Sequence, residues 1–255
     1  MIKLTGLSKR YNDTFVVQDA SAIFPKGEVT AIIGPNGAGK STLLSMASRL
    51  TNSDAGEVMI GNKLLSEWDS KELAKKLAVL RQSNNINMRF TVRELISFGR
   101  FPHSQGRLTH EDQKIIDSAL QHLSIEEIQN KYLDELSGGQ RQMAFIAMIV
   151  AQDTDYIFLD EPLNNLDIKH SVDIMSTLRN LAHKLNKSIV IVIHDINFAA
   201  SYSDNIVAMK KGEVIKSGKT NDVIQKDIME SIYEIPFEIH EIEGVKVCLY
   251  FSSRA

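Results

Sequence analysis

Nine consecutive residues, Gly34-Pro35-Asn36-Gly37-Ala38-Gly39-Lys40-Ser41-Thr42, fit the spacing GxxxxGK[ST]. That pattern binds the phosphates of a nucleoside triphosphate. Glycines at 34, 37 and 39 let the backbone curl, so that successive N–H groups aim at phosphate oxygens. A helix starting near Lys40 adds the positive end of its dipole. The Lys40 ammonium suits the β- and γ-phosphates, and the Ser41 hydroxyl suits Mg²⁺. Further along, Tyr156-Ile157-Phe158-Leu159 is an apolar run closed by two acids, Asp160 and Glu161. Asp160 is placed to hold the metal through water, and Glu161 to polarise an attacking water. A third apolar run, Ile189–Ile193, delivers His194 and Asp195. Of the seven histidines, only His194 stands at the mouth of such a run, where it can bond a γ-phosphate and steady the water.

A second cradle lies about a hundred residues after the first. Leu136-Ser137-Gly138-Gly139-Gln140 starts a helix and presents further backbone N–H donors to phosphate. One nucleotide rarely needs two such cradles from one chain. The economical arrangement is a pair of copies, head to tail, each lending Ser137, Gly138, Gly139 and Gln140 to the other's ATP.

The elements that must position these groups are legible as patterns. Val29–Ile33, Tyr156–Leu159 and Ile189–Ile193 read as buried strands that deliver their C-terminal residues to the ligand crevice of an α/β sheet. Residues 1–30 alternate apolar and polar with turns at Gly6, Asn12-Asp13 and Pro25-Lys26-Gly27, which predicts antiparallel strands; residues 56–61 add another. Residues 84–135 are polar and helical, an inserted lobe with capping-box spacings at Thr91…Glu94, Thr109…Asp112 and Ser124…Glu127. A helix is expected from about Ile168 to Lys184. The tail, 226–255, reads as an extension carrying a small hairpin around Gly244, with His240 on its polar side.

The bulk composition restricts the function. The chain has 255 residues and is 43% hydrophobic, enough for one large domain or one domain with an inserted lobe. Its net charge of −3, from 29 basic and 32 acidic residues, gives no basic stripe for nucleic acid. The longest apolar run, Met143 to Ala151, is about half a membrane span. No secretory signal opens the sequence. Cys248 is the single cysteine, so no internal disulfide framework exists, and the apolar stretch around it predicts an inert thiol.

In this order, the motifs resemble the nucleotide-binding subunits of ABC transporters, over roughly residues 1–225. The resemblance implies an α/β P-loop NTPase fold with an ABC-type core, meaning a mixed sheet with an antiparallel β subdomain and the inserted α-helical lobe. It implies an ATPase with Mg²⁺ as cofactor. Tyr11 looks like the residue that stacks on adenine, and Gln82 like the glutamine that contacts Mg²⁺ and senses the membrane partner. Asn164-Asn165-Leu166-Asp167 looks like the loop crossing the dimer interface, with Asp167 also fit to cap the next helix. The lobe would dock the helices of a transmembrane permease at the cytoplasmic face of the membrane, with a substrate-binding protein acting indirectly.

Glu161 to Asp167 continuing into Lys169-His170, and Thr91-Val92-Arg93-Glu94-Leu95 running to Phe98-Gly99-Arg100-Phe101-Pro102, are similar to the subgroup importing iron–siderophore complexes, haem or cobalamin. Many of that family's members have an arginine where this chain has Met143. Other cargoes, including export, use the same chemistry. A soluble ABC ATPase serving a cofactor-assembly scaffold is the reading from another class. Chromosome-type relatives are disfavoured by the span of about ninety residues between the two cradles, which lacks sustained heptads.

Overall fold

The computed structural model describes residues 1–82 and 89–251. It divides into two units, residues 1–68 with 188–255, and residues 69–187.

The first unit opens with strands β1 (Ile2–Tyr11) and β2 (Thr14–Phe24), the expected antiparallel pair, with Ile2 opposite Phe24 and Tyr11 opposite Thr14. Strand β3 (Val29–Ile33) and helix α1 (Lys40–Ala47) follow, then β4 (Ala55–Ile60) and β5 (Lys63–Leu64). β2, β1, β4 and β5 form one antiparallel sheet in that order. Every residue of β3 is buried, as expected of a strand covered on both faces, which is why it reads as a continuous apolar run.

The second unit holds α2 (Ser70–Ala74), β6 (Leu77–Leu80), α3 (Val92–Phe98), α4 (Phe101–Ser104), α5 (His110–His122), α6 (Gly138–Ala151), β7 (Tyr156–Asp160) and α7 (Ile168–Leu185). β6 and β7 pair in parallel, Leu77 with Tyr156 through Leu80 with Leu159. The helical stretch expected from residue 84 lies in this unit, although residues 84–88 are outside the described residues. Thr91 and Thr109 are the N-caps of α3 and α5, each in a full capping box with Glu94 or Asp112.

Ser124 does not start a helix. It sits at φ 53°, its N–H donates to the Gln121 carbonyl, and Ile125 N–H donates to that of Leu120. This is the left-handed stop of α5, and the hydrogen-bond spacing is that of a Schellman motif. The short 3₁₀ turn Glu126–Ile128 that follows is capped at Ile125 with no side-chain bond. Ser124…Glu127 has the right spacing for a cap, but the preceding helix needed the residue first.

The chain then returns to the first unit with β8 (Ser188–Val192), α8 (Ile196–Tyr202), β9 (Asn205–Lys210), β10 (Glu213–Lys219), α9 (Thr220–Val223), α10 (Lys226–Tyr233), β11 (Glu238–Ile242) and β12 (Val245–Leu249). β3 lies between β8 and β9 and is parallel to both, with Ala31 beside Ile191 and Ile206, while β10 is antiparallel to β9. β11 and β12 form the tail hairpin. Asn197 of α8 holds β12 in both directions, donating from its amide to the Cys248 carbonyl (3.2 Å) and accepting the Cys248 N–H (2.7 Å). Burial raises the Cys248 thiol pKa to about 11, so it is protonated and inert at neutral pH. His240 is exposed.

Candidate nucleotide site

The apolar strand β3 ends at Ile33 and the chain curls through the phosphate loop into α1. Gly34 and Gly39 cannot be replaced by another residue. Gly34 has φ 145° and a Cβ there would lie 2.1 Å from the Met209 carbonyl oxygen; Gly39 has φ 93° and its Cβ would lie 2.5 Å from that of Val16. Lys40 is buried, and its Nζ donates to the carbonyls of Gly34 (2.9 Å) and Pro35 (3.0 Å). The ammonium is therefore held against the loop it serves. Pro35, Asn36, Gly37 and Ala38 complete the curl, and Ser41 and Thr42 lie in the first turn of α1. Tyr11, the last residue of β1, keeps 52% of its surface exposed, so an aromatic face is open to solvent. His194 is also exposed, between β8 and Asp195, which caps α8 by accepting from the N–H groups of Asn197 (2.8 Å) and Phe198 (3.0 Å).

In the second unit, β7 delivers Asp160 and Glu161. Glu161 sits at φ 51°, a left-handed backbone that is rare outside glycine and asparagine and is a source of strain. Its Oε2 accepts the Gln82 side-chain amide at 2.7 Å and the Asn164 amide at 2.5 Å. Two neutral amide donors thus orient the carboxylate. The role of Asn164 is not visible in the pattern of its motif. The signal that could have found it is an amide three residues after an acid within a tight turn. Asn165 adopts φ 61°, which asparagine tolerates.

Asp167 caps α7, accepting the His170 backbone N–H at 2.8 Å, and the same Oδ1 takes the His170 Nδ1–H at 2.8 Å. These two bonds, the backbone one first, hold the Asp167 pKa below the usual carboxylate value. Ser137 caps α6. Its Oγ accepts the Gln140 N–H at 3.3 Å, and the Gln140 side chain accepts the Ser137 N–H at 3.2 Å. At the far end of α6, the buried Arg100 guanidinium donates to the Ala151 carbonyl (2.9 Å) and to the equally buried Asp112 (2.8 Å).

Each unit carries oxygen donors of the kind a hard cation takes: the Ser41 hydroxyl in the first, and the Gln82 amide oxygen and Asp160 carboxylate in the second. Among the described residues, no group of three or more His, Cys, Asp or Glu could hold a metal ion. A few hard oxygen donors fit Mg²⁺, which keeps several waters and takes the rest of its shell from phosphate.

Comparisons with known proteins identify the family. A sequence model of the ABC transporter family matches residues 17–164. The chain is 54% identical to the petrobactin import ATP-binding protein YclP of Bacillus subtilis (strain 168), over 99% of this chain and 100% of that protein. It is 36% identical to the ferric enterobactin transport ATP-binding protein FepC of Escherichia coli (strain K12), over 89% of this chain and 84% of that one. Among solved structures, the dimeric bacterial ABC transporter cassette MJ0796 superposes with a TM-score of 0.76 at 31% identity, covering 86% of this chain and 99% of that one. CbiO1 from Clostridium perfringens, part of the transporter complex cbiONQ, gives 0.78 at 30% identity, covering 90% and 92%.

Proposed function

This chain belongs to the ABC transporter family as an ATP-hydrolysing subunit, and from that premise we propose that it powers the uptake of an iron–siderophore complex. The observation that carries the catalytic part is the carboxylate of Glu161, aimed by the amides of Gln82 and Asn164. Similarity to petrobactin and enterobactin import subunits, close to full length in the first case, supports the cargo.

In this reading, Tyr11 stacks on adenine, and Gly34 to Thr42 wrap the phosphates with backbone N–H groups. Lys40 leaves the Gly34 and Pro35 carbonyls for the β- and γ-phosphate oxygens, exchanging two neutral acceptors for anionic ones. Ser41, Gln82 and Asp160 hold Mg²⁺, which when bound neutralises charge on the phosphates. Glu161 accepts a proton from the attacking water, and His194 holds that water and the γ-phosphate in line. A second copy of the chain, arranged head to tail, supplies Ser137, Gly138, Gly139 and Gln140 to the same nucleotide, with Asn165 and Asp167 at the interface.

ATP favours the closed pair because only that state makes the second set of contacts. Release of the γ-phosphate removes the bridge. Residues 1–225 form the ATPase domain, and 226–255 extend it. The helical lobe couples to permease subunits at the cytoplasmic face of the membrane, with a substrate-binding protein delivering cargo to them and no nucleic acid involved.

The test is reconstitution with the permease and binding protein. ATPase activity should rise when a ferric siderophore of the petrobactin class is added and stay basal with haem or cobalamin. Stimulation by haem or cobalamin alone would overturn the cargo, and an absence of ATPase activity in every arrangement would overturn the enzyme.

A further inference from the structure

The two glycines of the second cradle are not equivalent. A methyl carbon on Gly138 would meet nothing within 4 Å. On Gly139 it would lie 2.4 Å from Cδ2, 2.5 Å from Cγ and 2.9 Å from Nε2 of His170. Those distances are well inside van der Waals contact, so the imidazole occupies the space that a side chain at 139 would need. The ring cannot easily turn away. Its Nδ1–H is committed to Asp167 Oδ1 at 2.8 Å, and the same oxygen accepts the His170 backbone N–H at 2.8 Å. His170 thus joins two segments about thirty residues apart in sequence: the loop that ends at Asp167 and the turn that starts α6.

We propose that His170 is a positioning residue whose imidazole clamps Asp167 of the interface loop to Gly139 of the second phosphate cradle. The two segments one protomer offers to its partner's nucleotide then move as a single piece. This rests on the head-to-tail reading above. The physical argument is geometric. A cradle works when its N–H groups are fixed before the ligand arrives, since ordering them afterwards subtracts from binding. Gly139 is bare so that a ring can lie on it, and Asp167 sets the angle of that ring.

Two variants separate the halves of the clamp. His170→Asn keeps an amide N–H for Asp167 but leaves no ring over Gly139. His170→Phe keeps a ring but cannot donate to Asp167. In full-length protein carrying Glu161→Gln, so that ATP is held without turnover, either change should weaken the ATP-driven dimer by about tenfold in sedimentation, as should His170→Ala. Binding of a fluorescent ATP analogue to the monomer should not change, because the phosphate loop is untouched. Gly139→Ala should cost dimer affinity in the parent and add nothing further to His170→Ala or His170→Asn, while keeping its full cost beside His170→Phe. A dimer equally tight with His, Asn, Phe and Ala at 170 would overturn the proposal, and so would a Gly139→Ala penalty unchanged by His170→Ala. If the Glu161→Gln parent itself fails to dimerise with ATP, the head-to-tail reading has failed and takes this proposal with it. Failure of the clamp alone shows instead as a dimer insensitive to residue 170.

Discussion

Helix α1 starts at Gly39 and helix α6 at Ser137, and the two starts are made of different material. The first is shaped by backbone. Gly34 and Gly39 lie in conformations and spaces closed to other residues, and the one long side chain, Lys40, is folded back on the loop's own carbonyls. The second is shaped by side chains, with Ser137 and Gln140 capping each other and His170 packed on Gly139. A backbone cradle keeps its form without ligand. A side-chain cradle can be loosened by single substitutions and can exchange its internal bonds for external ones. A cradle that must engage and release with each turnover suits the second construction.

The largest effect should come from the first cradle. Lys40→Ala removes the only ammonium of the loop and its bonds to the Gly34 and Pro35 carbonyls, of which Pro35 keeps the Ala38 N–H. ATP binding should fall below detection in equilibrium dialysis, and hydrolysis with it. Residual turnover above about 10% of the parent would show that the backbone alone can hold the phosphates, since a single charge-assisted contact of this kind contributes about 1.5–3 kcal/mol, a factor of roughly ten or more.

Glu161→Gln comes next and separates binding from chemistry. The amide is isosteric, and nucleotide affinity should persist. A missing general base slows the step by about 10²–10⁴-fold. Single-turnover hydrolysis is the measurement, and brisk turnover would remove Glu161 from its role. Asn164→Ala should give a milder loss of the same kind, because the Gln82 amide still holds Oε2.

The contrast between the two constructions also explains what was legible in the sequence. The phosphate loop, the three apolar strands and the antiparallel start were readable because each depends on local pattern: glycine spacing, continuous burial, alternation. The capping boxes at Thr91 and Thr109 were readable because a cap spans three residues, whereas the one between Ser137 and Gln140 was not read from the sequence. Ser124 was misread as a helix start because the same spacing can sit behind a helix stop, and only the hydrogen bonds to Leu120 and Gln121 reveal which use prevailed. Asn164 and His170 were seen in their motifs, but not their work. An amide aiming a carboxylate, and a ring filling the absent side chain of Gly139, are tertiary facts with no periodic trace. Cys248 was legible as inert from its apolar surroundings, but its pairing with Asn197, far away in sequence, was not.

A third test probes what holds α6 at its other end. Arg100 and Asp112 are both buried, and Arg100 also reaches the last carbonyl of the helix through Ala151. The Asp112 pKa is lowered to about 2, first by the Thr109 backbone N–H and then, against the opposing cost of burial, by Arg100 and the Thr109 hydroxyl. A depressed pKa stabilises the fold above the unfolded value, near 4, and the contribution is lost as pH falls toward 2. Asp112→Asn leaves a buried guanidinium without its counter-charge, a change that costs about 3–5 kcal/mol in comparable pairs. The thermal midpoint should drop by several degrees. The variant should also lose the part of the parent's acid sensitivity that falls between pH 4 and 2. A variant as stable as its parent at pH 7 would mean that the helix is held by packing alone.

The smallest effect is the most discriminating. Ser137 has two possible duties, capping α6 and bonding the partner's nucleotide, and two substitutions pull them apart. Ser137→Ala loses both, and the cap alone is worth about 1 kcal/mol; Ser137→Gly loses the hydroxyl but gives up only a few tenths of a kcal/mol in capping. The cap bond here is long, 3.3 Å, so little is sacrificed when the hydroxyl turns toward a phosphate oxygen. Both variants should therefore weaken the ATP-trapped dimer to a similar extent, by several-fold, with monomer affinity for nucleotide unchanged. If glycine restores the dimer and alanine does not, then Ser137 serves its own helix only, and the second cradle acts through backbone N–H groups as the first one does.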